Sequence, residues 1–467
     1  MLALLRHSAR RLLFILVEDL VLFAAVLLAA GLALGIGAEG AEPVAARLAR
    51  DGVVVKSFVL ALLCQICLYY NDLYDFRVAR DRREVRRRLV QSFGATSILA
   101  AVLYLLFPPL IIGRGVFLVA LALGGAMLLA WRHLYDRMLA IEGFHERVLI
   151  LGTGRIAQAI AGEVLQQPAL GYRVVGYIAD EPVLGPPKAG HPPVLGRERS
   201  LLEVVRRERV QRVVVALPEA RGRLPIEALL ACRMAGVKVE EGTSFYERVS
   251  GRILLENLKP SWLIFSDGFR QSALTAHLKR TMDLALAVAG LVLAAPLFAL
   301  IALLIRCDSP GPVFLRQERV GQWGRIFTLY KFRSMRADAE ADGRPVWAGE
   351  NDPRVTRVGA WLRKLRLDEL PQLWNVVRGD MSLVGPRPER PFFVEQLRPA
   401  IPFYDQRHTV KPGLTGWAQV RYPYGASVED AIEKLQFDLY YIKHMSLLFD
   451  LSILIETVKV ILFGRGR

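Results

Sequence analysis

Apolar residues along this chain fall into long unbroken runs at its start and into shorter, periodic runs further on. The first four runs cover residues 12–34, 53–70, 90–112 and 116–139. Each is close to the ~20 residues that cross a bilayer as a helix. The first is longer than the apolar core of a signal peptide and lacks a small-residue cleavage pattern, so it reads as an anchor. From residue 143 to 269 strand-like and helix-like segments alternate. Val148, Leu149, Ile150 and Leu151 make a strand that leads into Gly152-Thr153-Gly154-Arg155-Ile156-Ala157, and helical spacing continues to Leu165. Further strands are read at 172–178, 212–217 and 237–239. Such alternation predicts a doubly wound α/β domain. Residues 182–193, rich in proline and glycine, read as a loop, and 260–277 as a linker. A fifth long run, 284–305, carries Pro296 near its centre. The last, 447–463, is apolar with Asp450, Glu456 and Lys459 interspersed, as in a helix lying at a membrane surface. No internal repeat is present.

Charge turns these runs into a topology. The 467 residues are 53% hydrophobic with mean hydropathy +0.30, yet carry a net charge of +16 and a pI near 9.9. A nucleic-acid binder that basic would rarely be so apolar, and no nucleic-acid partner is expected. A membrane protein with arginine-rich cytoplasmic loops is both. Arg6, Arg10 and Arg11 precede the first run; Arg77, Arg80, Arg82, Arg83, Arg86, Arg87 and Arg88 join the second to the third. The excess of arginine puts the N-terminus, this loop and everything after residue 139 on the cytoplasmic side. Lys279 and Arg280 flank the fifth run on one side; Arg306, Arg316, Arg319, Arg325, Lys331 and Arg333 follow it on the other. Both flanks stay cytoplasmic only if the helix breaks at Pro296 and returns, a re-entrant helix rather than a fifth crossing. Glu18 and Asp19, inside the first run, are expected to pair with an arginine near the cytoplasmic face. The four cysteines offer no disulfide framework, and Cys64 and Cys67 read as small helix-packing residues.

The glycine turn at 152–154 resembles a dinucleotide-binding start, with Asp180 near the place of a ribose-binding acid and Ala157 where a third glycine would stand. No tyrosine is followed four residues later by lysine, the pairing that nicotinamide-dependent sugar chemistry uses. This Rossmann-like domain is therefore expected to serve a structural or nucleotide-sensing role. Its exposed elements offer a surface for a homodimer.

The densest chemistry lies at Arg366-Leu367-Asp368-Glu369-Leu370-Pro371-Gln372-Leu373-Trp374-Asn375, continuing to Gly385-Pro386-Arg387-Pro388. Adjacent carboxylates between arginines suit metal binding or attack on phosphorus, with guanidinium groups on the phosphate oxygens. An isolated Asp-Glu pair is usually solvated surface. Here it keeps company with Pro310-Gly311-Pro312-Val313-Phe314, Gln317-Glu318-Arg319-Val320-Gly321, Tyr330-Lys331-Phe332-Arg333-Ser334-Met335 and Lys411-Pro412-Gly413-Leu414-Thr415-Gly416-Trp417, in that order.

Together these blocks resemble the catalytic domain of bacterial polyprenyl-phosphate phosphoglycosyl transferases of the monotopic type, which begin exopolysaccharide and O-antigen assembly. Glu256-Asn257-Leu258-Lys259-Pro260-Ser261-Trp262-Leu263-Ile264-Phe265 resembles the exopolysaccharide sugar-transferase branch. The resemblance implies a four-span helical anchor (1–140), a Rossmann-like α/β domain (141–270) and a mainly α monotopic catalytic domain with a re-entrant helix (276–467) in the bacterial inner membrane. It implies Asp368 as nucleophile on a UDP-sugar, releasing UMP, with polyprenyl phosphate as acceptor. Glu369 would hold Mg²⁺ and assist proton transfer. Arg387 would clamp phosphate, with Lys331 and Arg333 as further candidates, and Pro296 would break the re-entrant helix, although Ala295 stands where some members carry serine. Glucose and galactose are the sugars the resemblance favours. A membrane-bound nucleotide-sugar dehydratase and a nucleotide-sensing scaffold are the alternatives, and release of UMP separates them.

Overall fold

The computed structural model describes all residues except 1, 37–51, 75–81, 141–144, 168–169, 181–191, 218–223, 259–267, 270–271, 337, 340–351, 423–424, 426 and 464–467. Arg77, Arg80, most of the 182–193 loop and most of the 260–277 linker therefore lie outside the described residues. The chain forms two compact units, Met1–Val249 and Ser250–Arg467.

In the first unit, the apolar runs become α1 (Leu2–Ile36), α2 (Val53–Tyr70), α3 (Arg82–Leu106) and α4 (Arg114–Ala140). All four are long and apolar enough to cross a membrane. Leucines such as Leu20, Leu28 and Leu32 face outward, while small and aromatic residues such as Ala25, Ala61 and Phe14 pack between the helices. Arg82 through Arg88, expected in a connecting loop, instead form the first turns of α3. Glu84 explains this: its carboxylate sits 2.7 Å from both Arg87 and Arg88, one helical turn away. Glu18 is fully buried and meets Arg132 at 2.8 and 2.9 Å, with the Tyr74 hydroxyl donating to it at 2.6 Å. The expected arginine partner of Glu18 is thus Arg132 of α4, whereas Asp19 has a buried side-chain oxygen with no hydrogen-bond partner among the described residues. Cys64 and Cys67 are free and buried among the helices.

The α/β part of this unit contains β1 (Glu146–Leu151), α5 (Arg155–Gln166), β2 (Tyr172–Ile178), β3 (Val194–Gly196), α6 (Leu201–Arg207), β4 (Arg212–Val215), α7 (Ile226–Met234), β5 (Lys238–Glu241) and α8 (Gly242–Ser250). All pairings are parallel, in the order β3-β2-β1-β4-β5. The short β3 was not legible in the pattern. Leu149, Leu151, Ile178 and Val213 fill one side of the sheet against α6 and α7. Gly152 has φ 107°, and a Cβ there would sit 2.8 Å from the Ala216 carbonyl oxygen, so only glycine fits the turn after β1.

The second unit is mainly helical. It opens with α9 (Ala273–Asp308), 36 residues capped by Ser272, whose hydroxyl accepts from Thr275 N. Pro296 lies inside α9, and the helix continues through it. The expected interruption is absent from the backbone; the proline removes one bond, that to the Val292 carbonyl, and the surrounding leucines and alanines sustain the helix on either side. The two halves of α9 are held by the same unit. Near its start, Arg280 donates to the Val376 and Val377 carbonyls and Asp283 accepts from Ser382 and Leu383 N. Near its end, Ile301 and Ile305 pack on Phe332 and Leu362. Between them Val292 and Leu293 are exposed.

The remaining elements are the antiparallel hairpin β6 (Phe314–Val320) and β7 (Ile326–Phe332), α10 (Arg357–Lys364), α11 (Gln372–Arg378), β8 (Ser382–Val384), α12 (Pro391–Ala400), β9 (Gly413–Thr415), α13 (Trp417–Arg421), α14 (Val428–His444) and α15 (Leu447–Phe463). β8 and β9 pair in parallel. α15 is inverted relative to a soluble helix. Asp450 is buried against Lys279 and Tyr441, while Leu448, Leu451, Ile455 and Val458 face outward.

Candidate active site

Asp368 and Glu369 lie in a single tight turn, Leu367–Glu369, between α10 and α11. Arg366 enters it in the left-handed region, φ 53°, an unusual conformation for an arginine. Leu367 and Leu370 pack against the cluster of Ile301, Ile305, Phe332 and Leu362, as do Leu297 and Phe298 of α9, so the second half of α9 is the floor of the turn. Pro371 follows at the start of α11, where a missing N–H costs nothing. Asn375 then ties α11 to β7: its side-chain oxygen accepts from Tyr330 N at 3.1 Å and its amide donates to the Thr328 carbonyl at 2.7 Å. This tie sets Lys331, the next residue of β7, beside the turn.

Successive side chains in so tight a turn point about 120° apart, and the two carboxylates are treated differently. Glu369 Oε1 accepts from Arg387 Nη2 at 2.7 Å and from Lys331 Nζ at 3.4 Å. Asp368, only 8% exposed, accepts no hydrogen bond among the described residues. Burial, and then the Glu369 charge, push the Asp368 carboxyl up to about 6, against the pull of Lys331 and Arg387. Burial would raise Glu369 too, but Arg387, Lys331 and Arg366 outweigh it and hold Glu369 well below the usual carboxylate range. Burial pulls Lys331 and Arg366 down and brings Arg319 down to about 10. The site is largely buried and crowded with cations around two anions, a setting that favours further negative charge from phosphate.

Of the residues singled out in the sequence, Asp368, Glu369, Lys331 and Arg387 converge. Arg333 has a different position. It is 5% exposed and donates to the Ser309 and Pro310 carbonyls at 2.6 and 3.0 Å and to the Ser309 hydroxyl at 3.0 Å. It closes the turn after α9, and a guanidinium engaged there has few donors left for phosphate. In the sequence Arg366 stands only as one of the arginines beside the carboxylates, and Arg319 only as part of the basic cluster after the fifth run. The signal for Arg366 was its place two residues before Asp368. Nothing in the spacing marked Arg319 or Asn375.

Among the described residues no group of three or more His, Cys, Asp or Glu could hold a metal. Mg²⁺ needs fewer protein ligands than that. It commonly takes one or two carboxylates and completes its shell with phosphate oxygens and water. The Asp368-Glu369 turn fits such a site, with Glu369 as the carboxylate already ionised.

Residues 274–464 match the family described as bacterial sugar transferase, and residues 70–232 the family described as CoA-binding domain. The first match covers the whole of the site above. A UDP-N-acetylgalactosamine-undecaprenyl-phosphate N-acetylgalactosaminephosphotransferase of Aeromonas hydrophila is 44% identical over 238 residues, 51% of this chain and 55% of that protein. The UDP-glucose:undecaprenyl-phosphate glucose-1-phosphate transferase of Escherichia coli is 36% identical over 326 residues, 68% of each chain. That of Xanthomonas campestris pv. campestris is 33% identical over 327 residues, 67% of this chain and 66% of the relative. The chain thus spans about half the length of the first of these relatives and about two thirds of the other two.

Proposed function

The chain belongs to the bacterial polyprenyl-phosphate phosphoglycosyl transferases, and we propose that it moves a hexose 1-phosphate from a UDP-sugar to polyprenyl phosphate through a covalent intermediate on Asp368. One observation carries this reading. A buried carboxylate with no described donor stands beside a second carboxylate that takes up the neighbouring cations. A carboxylate tied to several donors is a weak nucleophile; one that accepts from no neighbouring side chain is a stronger one.

In the first step an Asp368 oxygen forms a bond to the phosphorus that bears the sugar. The bond from that phosphorus to the bridging oxygen breaks, and UMP leaves with that oxygen. In the second step a phosphate oxygen of the polyprenyl phosphate attacks the same phosphorus. The Asp368–phosphorus bond breaks, the carboxylate is restored and a polyprenyl diphosphate sugar is formed. Two steps keep the two polyanions from meeting at once. Arg387 and Lys331 hold phosphate oxygens, and Arg366 adds positive charge close by. Mg²⁺, held by Glu369 and substrate phosphates, would offset pyrophosphate charge. The relatives named above are specified for glucose and N-acetylgalactosamine, and a panel of UDP-sugars would identify the sugar here.

The hold of one unit on both ends of α9 supports both ends lying on the cytoplasmic face of a bacterial inner membrane, with α9 bending, rather than breaking, at Pro296, where the bond to the Val292 carbonyl is missing. With Leu367 and Leu370 resting on α9, the nucleophile would then lie at the depth of lipid phosphate. Cysteines placed at Ala276 and Gln322 should both react with an impermeant thiol reagent from the cytoplasmic side alone; periplasmic labelling of the second would overturn the topology.

The reaction itself is tested with UDP-sugar labelled in the sugar-linked phosphate. Protein mixed with it and no acceptor should release close to one UMP per chain and retain the label. Adding polyprenyl phosphate should discharge the label into lipid. UMP release that strictly requires the acceptor, with no labelled protein, would exclude the covalent route.

A further inference from the structure

The backbone on either side of Arg387 is gripped at four successive carbonyls. Gly413 N donates to Pro386 O at 2.9 Å and Val320 N to Glu389 O at 2.9 Å. Between them, Arg407 Nη2 donates to Arg387 O at 3.1 Å and Arg319 Nη1 to Pro388 O at 3.1 Å. Pro386 and Pro388 have fixed φ angles and no N–H of their own. The peptide that carries Arg387 is therefore held from three directions, by β6, by the start of β9 and by the turn of helix Tyr404–Thr409.

Arg407 is the unusual member of this set. It is 6% exposed, and its guanidinium meets Asp438 of α14 at 2.9 Å and donates to the Tyr404 hydroxyl at 2.8 Å. Asp438 is buried as well. Taking such a pair out of water commonly costs more than an apolar pair of the same size would. Arg407 Nε adds to the cost, since it is buried with no acceptor. What the arrangement gains is a charged donor fixed on the carbonyl of Arg387 itself. A guanidinium at the end of a long side chain is aimed only as well as its own Cα is fixed, and small misplacement of a clamp is expensive in rate.

We propose that Arg407, oriented by Asp438 and Tyr404, is a positioning residue that sets the Arg387 guanidinium for the diphosphate of the sugar nucleotide. This rests on Arg387 acting as the phosphate clamp. Arg407 touches neither substrate nor nucleophile in this reading; it acts through the peptide of Arg387. Its influence should therefore vanish when Arg387 has no guanidinium to aim.

The test is a double-mutant cycle on the full chain in nanodiscs, with UDP binding measured by calorimetry and turnover measured alongside. Arg407→Lys keeps the charge but cannot reach Asp438, Tyr404 and the carbonyl together. It should weaken UDP binding and raise KM for the UDP-sugar about tenfold, leaving KM for polyprenyl phosphate unchanged. In an Arg387→Ala background the same substitution should change UDP binding by less than about twofold. Tyr404→Phe removes a single hydrogen bond and keeps the ion pair, so it guards against misfolding; it should shift UDP binding about threefold in the parent and not at all in Arg387→Ala. Equal losses in both backgrounds, or no loss in the parent, would overturn the proposal. If Arg387→Ala itself bound UDP and turned over normally, the clamp reading beneath it would be the one that fails.

Discussion

Glu18 in the membrane anchor and Asp368 in the C-terminal unit are both buried carboxylates, 0% and 8% exposed. Glu18 is satisfied on every side. Arg132 meets both of its oxygens and Tyr74 adds a hydroxyl, itself held by the Gln65 amide at 2.8 Å. Asp368 lies among at least as many cations and accepts from none of them, because Glu369 has taken Arg387 and Lys331. A paired buried acid fixes how helices pack, since no other register satisfies it. An unpaired one costs stability and is reactive. Charge burial alone does not separate the two acids; the donors that each accepts from do.

Replacing Asp368 gives the largest effect. Asp368→Asn should cut UMP release at least ~10³-fold while leaving the thermal midpoint unchanged or higher, because a buried charge that accepts no hydrogen bond among the described residues is removed. A lowered midpoint would mean that Asp368 is structurally paired after all. Glu18→Ala should do the reverse. Removing one partner of a buried pair costs about 3–5 kcal/mol, so the variant should melt early in detergent, while the folded fraction turns over within about twofold of the parent. Loss of turnover at full stability would give Glu18 a part in the chemistry.

The effect of pH sharpens the contrast further. A neutral Asp368 carboxyl cannot attack phosphorus, so turnover should fall as pH drops through about 6, the value to which burial pushes it. Stability runs the other way. The folded chain binds the Asp368 proton more tightly than the unfolded chain, whose ordinary value is 3.8. The stabilising effect of protonation is complete below that value and is lost as pH rises through about 6. The advantage in thermal midpoint of Asp368→Asn over the parent should therefore open between these limits and stay open above them. A constant difference across that range would remove the unpaired carboxylate from the account.

The smallest change is expected in the α/β domain. Gly154 has φ −64° and ψ −178°, which alanine adopts freely, so Gly154→Ala should fold and retain transfer within about twofold, and the purified protein should carry no nicotinamide by mass spectrometry. A strict requirement for a nicotinamide would move the chemistry into this domain. Gly152→Ala is the wrong variant for that test, since its Cβ would strike the Ala216 carbonyl and unfold the turn.

The sequence by itself determined the membrane helices, the alternating α/β segment and the Asp368-Glu369 block, because each is written in contiguous residues. Helix α2 covers residues 53–70, the span its apolar run predicted. An arginine partner for Glu18 was also legible, since a charge inside an apolar run demands one. Which arginine was not: Arg132 lies 114 positions away, and only the packing of α1 on α4 brings it there. The basic residues near the site show the same limit. Lys331 and Arg333 sit two positions apart, yet Lys331 reaches Glu369 while Arg333, just beyond the end of β7, turns to the Ser309 and Pro310 carbonyls. Adjacent Asp368 and Glu369 could not be told apart by environment until a tight turn gave one of them all the cations. Local periodicity and contiguous motifs survive in one dimension; burial, pairing and the lack of a partner arise from contacts between distant segments, and only the tertiary structure decides those.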